Sequence, residues 1–196
     1  MSSLVYYIVI LERNYYSGFD LLKVSKSFNK LIPVLESWTG ANTVYAYEVI
    51  GNSKKIVGRF SYIDRMSNIK LFTNYSSPNS IHTYPEEVFI MLSKEKSKSN
   101  APIKIWVFEK FSEVIEAFIE YGLHFRTEVY ATKINPIKED YDMIGIIVTC
   151  AEHDNSDCLF YNIGKQEMLE FAEAFKSRGL EVPPDLTRIL RKNIGA

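Results

Sequence analysis

The stretch "FDLLKVSKSFNKLIPVLESW" (19–38) decides how the chain is built. At helical spacing, Leu21, Val24, Phe28, Leu31, Leu35 and Trp38 fall on one face. Ser17 with Asp20 gives a capping box ahead of them. The pattern predicts a helix that either kinks at Pro33 or restarts with Pro33 in a new first turn, closed by Gly40. Before it, Leu4–Leu11 is a continuous apolar run rich in β-branched and aromatic residues, the signature of a buried strand. A strand handing over to a long helix is the first half of a crossover unit.

The rest of the chain extends that alternation. "TVYAYEVI" (43–50) and "IVGRFSYI" (56–63) pair as a hairpin, and "IKLF" (69–72) forms a short strand. Residues 73–84 are a loop. Thr83 and Glu86 around Pro85 cap a helix running to about Lys94. A polar connector (94–100) leads to a strand at 102–109 and an amphipathic helix from Phe111 to Gly122. Strands near 124–134, 143–150 and 158–163 follow. A helix over 165–179 ends at Gly179, and "PPDLTRILRKN" (183–193) makes a last helix with Asp185 as its cap. Strand–helix alternation favours one α/β domain over 1–196, a mixed β-sheet flanked by helices. The alternative is a duplicated ferredoxin-like α+β fold.

Composition bounds the function. The chain has 196 residues, 46% hydrophobic and 14% aromatic, which is ample for a core, and a formal charge of −1. That balance gives no general electrostatic case for nucleic acid, and "RILRKN" (188–193) reads as a solvated helix face. The N-terminus lacks the basic start and cleavage site of a signal peptide, and no apolar run approaches a membrane span. A soluble, cytoplasmic protein is expected. One glutamine against sixteen lysines points to a hyperthermophilic archaeon or one of its viruses.

Several chemistries are excluded. No two glycines lie two apart, so the dinucleotide fingerprint is absent, and "IGK" (163–165) lacks the earlier glycine of a phosphate-cradling loop. There is no His-Glu-x-x-His and no Cys-x-x-Cys, and His82, His124 and His153 are far apart.

"VYYIVILERNYYSG" (5–18) resembles the opening of a GIY-YIG nuclease, whose aromatic strand motifs end in Tyr-x-Gly, here Tyr16-Ser17-Gly18. No arginine stands between Gly18 and Arg59, where that family places its catalytic one. The element order up to 102–109 also resembles a GT-A glycosyltransferase. That resemblance implies Mg or Mn and a nucleotide sugar held by an Asp-x-Asp after the central strand. Here that place reads "FEKF", and the one Asp-x-Asp, Asp140-Tyr141-Asp142, precedes a strand.

In open α/β sheets ligands gather beyond the carboxyl ends of strands. Strand 4–11 ends in Glu12-Arg13 and strand 102–108 in Glu109-Lys110. As parallel neighbours they would face one crevice, with Ser17 lining an anion pocket. "VTCAEHDNSDC" (148–158) holds both cysteines with His153 and three acids. Its spacing matches no established metal-ligand pattern, so no metal is assigned. Two flanking strands would set Cys150 and Cys158 opposite each other at a hairpin base, within reach of a disulfide. The expected function is a non-catalytic interaction or assembly protein that self-associates and needs no cofactor. The alternatives are a metal-dependent transferase or nuclease using acidic residues at strand ends, and a nucleic-acid-binding protein.

Overall fold

The computed structural model describes residues 4–12, 19–38, 42–50, 53–60, 70–71, 84–94, 103–121, 126–135, 140–150 and 157–194. In chain order the elements are β1 (Val5–Glu12), β2 (Phe19–Ser25), α1 (Ile32–Glu36), β3 (Thr43–Ile50), β4 (Ser53–Phe60), β5 (Lys70–Leu71), β6 (Glu87–Lys94), β7 (Lys104–Phe108), α2 (Phe111–Tyr121), β8 (Arg126–Asn135), β9 (Asp140–Cys150), β10 (Asp157–Tyr161), α3 (Lys165–Ser177) and α4 (Pro184–Ile194). Every strand pairing with a described register is antiparallel. The protein is therefore mostly antiparallel β, not the mixed sheet flanked by helices that the sequence suggested. The duplicated ferredoxin-like alternative falls with it, because β1 passes directly to a second strand without a crossover helix.

The contacts divide the chain into two compact units. One holds Met1–Glu86, Ile105–Val107 and Ile134–Asp142; the other holds Glu87–Lys104, Phe108–Lys133 and Met143–Ala196.

In the first unit the strand order is β5-β4-β3-β1-β2, with the first residue of β9 beside β2. Tyr6 through Leu11 of β1 are all buried. Each of their backbone N–H and C=O groups needs a partner inside the protein, and only a strand on each edge supplies them all. β3 takes one edge, from Val5↔Ile50 to Glu12↔Thr43. β2 takes the other, from Tyr7↔Ser25 to Glu12↔Phe19, with a register shift between Val9 and Ile10. This demand overrides the helical spacing at 19–25.

Helix is kept only downstream, as a 3-10 turn at Phe28–Lys30 and the five-residue α1 with Pro33 in its first turn. The restart at Pro33 is thus what the chain adopts. Phe28, Leu31 and Leu35 still reach the core expected of them, packed with Tyr7, Val9, Leu11, Val44, Ala46 and Val57. The β3–β4 hairpin forms as the alternation predicts, with β4 starting at Ser53.

Glu48 sits on the same side of the sheet as that core and is 7% exposed. Its Oε2 has no hydrogen-bond partner among the described residues. Burial holds the carboxyl above the usual carboxylate range, while the Lys55 ammonium pulls it back. A raised acid stabilises the fold below its unfolded pKa and loses that contribution as pH rises through the folded value. Glu48→Gln removes the charge that burial disfavours and is therefore expected to raise neutral-pH stability. Melting wild type and variant side by side checks this: the gain is to vanish near pH 4, where the unfolded carboxyl is half protonated at about 4.3.

In the second unit the order is β10-β9-β8-β6. β6 and β8 pair over eight positions, from Glu87↔Lys133 to Lys94↔Arg126. The helix expected up to Lys94 is instead β6, whose Val88–Lys94 are all buried. Burial on both faces demands a continuous apolar run, and such a run carries no period to separate strand from helix. One face of β6 presents Phe89 to Phe111 of α2, ring centroids 5.3 Å apart. Phe171 of α3 centres the cluster, meeting Phe118 at 4.9 Å, Phe175 at 5.0 Å, Phe160 at 5.6 Å and Phe111 at 6.5 Å.

Helix α3 ends as the sequence predicts. The N–H of Leu180 donates to Phe175 O at 2.9 Å and that of Gly179 to Lys176 O at 3.0 Å, with Gly179 at φ 67°. This paired closure needs a left-handed residue. Nothing lies within 4 Å of a Cβ built on Gly179, so only backbone strain opposes a side chain there. Gly179→Ala is expected to cost about 1–2 kcal/mol. Thermal unfolding would show it as a fall of roughly 2–8 °C for a chain of this size.

Among the described residues no helix is long and apolar enough to cross a membrane.

Candidate functional site

Alternation along a strand puts Val88, Ile90, Leu92 and Lys94 of β6 on one face with Arg126, Glu128, Tyr130 and Thr132 of β8. The opposite face carries the ordinary core contacts, including Phe89, Met91 and Val129, with Thr127 donating to Ser93 Oγ at 3.1 Å. The first face is equally buried but carries charge. Lys94 is 5% exposed, Glu128 5% and Tyr130 3%.

Tyr130 donates its hydroxyl hydrogen to Glu128 Oε2. Arg126 Nη2 approaches Glu128 Oε1 at 3.4 Å, a long contact that leaves much of the guanidinium's donor capacity unspent. The Nε–H of Arg126 is buried and has no hydrogen-bond partner among the described residues. About a fifth of the Arg126 side chain, at 21%, reaches solvent, so the site has an open edge.

Two physical costs meet here. Removing a charge from water costs several kcal/mol unless it is paired and hydrogen-bonded. Like charges directly opposite across a ladder also repel, and Lys94 stands opposite Arg126. Lys94, Arg126 and Glu128 are the charged side chains that β6 and β8 place on this face. The arrangement is suited to accept a further negative group: a buried Arg126 donor with no partner among the described residues, and a phenol already committed to orienting Glu128.

The residues singled out from the sequence lie elsewhere. Glu12 is half-buried at the end of β1 and belongs to the first unit. There it adds to the burial that raises the Tyr47 phenol far above its ordinary value. Tyr47 also carries the Lys54 ammonium over its ring at 5.5 Å. Glu109 and Lys110 are exposed at the bend before α2, in the second unit. Both edges of β1 are occupied by β2 and β3, so the parallel pairing that would have joined these groups in one crevice is not formed. Arg13, Ser17 and the Tyr16-Ser17-Gly18 motif lie outside the described residues.

Asp140 makes an ion pair with Lys23, and its Oδ1 accepts the Tyr141 N–H at 3.2 Å. Asp142 is exposed. The strand–helix order behind the glycosyltransferase resemblance is absent, since β2 replaces its first helix. Among the described residues no group of three or more metal-ligating side chains converges. The hairpin around "VTCAEHDNSDC" is present as β9 and β10, but its register pairs Asp157 with Cys150 and Cys158 with Thr149. The cysteines are therefore offset by one residue rather than opposed. Cys158 itself is fully buried, at 0% exposure.

No family model matches the chain, and no curated protein or solved structure does.

Proposed function

We propose that this chain is a non-catalytic binding protein that holds a small oxyanion group, a carboxylate or a phosphate, at the Lys94–Arg126–Glu128–Tyr130 face of β6 and β8. The observation that carries the reading is the buried Nε–H of Arg126, which has no hydrogen-bond partner among the described residues. A guanidinium matches the geometry of carboxylate and phosphate with its fork of donors, so an oxyanion entering at the exposed edge satisfies the donor. Glu128 then serves as the fixed anion that keeps Arg126 oriented between ligands. This narrows the expectation of an interaction protein to one chemical class of ligand.

Thermal unfolding with added inorganic phosphate or acetate tests it. A ligand that binds only the native state stabilises it in proportion to the logarithm of its concentration, about 2.7 kcal/mol at one hundred times its Kd. Wild type is expected to melt at rising temperature as either anion is added at constant ionic strength. Arg126→Gln is expected to abolish the rise. An equal rise in both proteins, or none in wild type, contradicts the proposal.

A further inference from the structure

Helix α4 and the residues leading into it frame a second charged feature, independent of the β6–β8 face. An open groove of about 510 Å3 is lined by Glu181, Val182, Pro184, Arg188, Arg191 and Lys192, among others. Arg188 and Arg191 lie three apart, so both fall on the same side of the helix as Pro184. Arg188 is steadied by Asp185 one turn earlier, Nη2 to Oδ1 at 2.7 Å. Arg191 and Lys192 are exposed in the last turn, where the helix dipole favours cations. The groove lining thus holds three cations and one carboxylate on a chain whose formal charge is −1.

The lining also distinguishes between polyanions. Among the described residues it contains no aromatic ring, and so no platform on which unpaired bases could stack. It does contain two arginines, whose planar forks match carboxylates, beside the aliphatic surfaces of Val182 and Pro184. We infer that this groove docks an acidic peptide segment of a partner protein, its Asp and Glu side chains meeting Arg188, Arg191 and Lys192 while an intervening apolar residue covers Val182 and Pro184.

Fluorescence anisotropy with a dye-labelled peptide of alternating Glu and Leu tests this, beside a single-stranded RNA and a Lys-Leu peptide of equal length. The acidic peptide alone is expected to bind, and to weaken as salt screens the contacts. The double charge reversal Arg191→Glu with Lys192→Glu is expected to lower the affinity at least tenfold. Lys110→Glu, on the exposed bend before α2, is expected to leave it unchanged. Both reversed positions are exposed, and a melting curve confirms that the variant folds. Absence of acidic-peptide binding at low salt, binding of RNA in its place, or equal affinity in the doubly reversed chain overturns the inference.

Discussion

Phe171→Ala is expected to destabilise the protein by about 3–5 kcal/mol. Phe171 is completely buried and its ring meets four others, edge-on to Phe118 and Phe160 and stacked with Phe175. Those partners come from α2, β10 and α3 itself, so the ring ties a strand to two helices. Truncation removes the transfer energy of the side chain, leaves a cavity, and forfeits aromatic pairs worth about 0.5–1.5 kcal/mol each in other proteins. Chemical denaturation would show a fall in the transition midpoint with little change in slope. Phe171→Leu fills most of the space and is expected to cost less than half as much. Equal effects from the two substitutions would contradict this, because filling the space would then recover nothing and the ring contacts alone would carry the loss.

Glu128→Leu is expected to cost about 3–5 kcal/mol for a different reason, the stranding of buried positive charge. Glu128 is the one carboxylate that β6 and β8 place on this face, and it accepts from Tyr130 and pairs with Arg126. Removing it leaves Lys94 and Arg126 opposing each other across the ladder and leaves the Tyr130 hydroxyl without that acceptor. The double substitution Glu128→Leu with Arg126→Leu removes the main conflict along with the pair. Replacing a buried ion pair by apolar side chains is often neutral, so the double variant is expected to recover most of the loss. A double-mutant cycle in urea reads the coupling directly. If the double variant is as unstable as the sum of its parts, Arg126 and Glu128 act independently and the site is not a unit.

The limits of sequence reading follow from the same residues. Helices α2 and α3 were legible because one face of each is buried and the other is wet, which imposes a period on the sequence. The hairpins β3–β4 and β9–β10 were legible from alternation and their turn residues. Strands β2 and β6 were not. In β2 the apolar residues Leu21 and Val24 happen to fall at helical spacing, and the deciding force was the unpaired edge of β1, which no local pattern records. In β6 burial on both faces erased the period, and Thr83–Glu86 supplied a false cap.

The candidate site was hidden by that second error. With 85–94 read as a helix, Lys94 could not be placed opposite Arg126. The remaining signal was present in "RTEVYATK" (126–133), where Arg126, Glu128 and Tyr130 alternate with Thr127, Val129 and Ala131. Alternation of this kind says that the three polar residues share a face, and the usual reading turns that face to water. Only the fold shows that both faces are covered.

Oxyanion binding at Arg126 is read from the NMR resonance of its own Nε–H. In the ligand-free protein that proton has no hydrogen-bond partner among the described residues. Titration with inorganic phosphate, and separately with acetate, is predicted to move the Arg126 Nε–Hε cross-peak saturably, while the exposed Arg188 and Arg191 peaks shift only weakly and without saturation. A cross-peak that stays in place at concentrations well above those that shift the surface arginines would contradict the account.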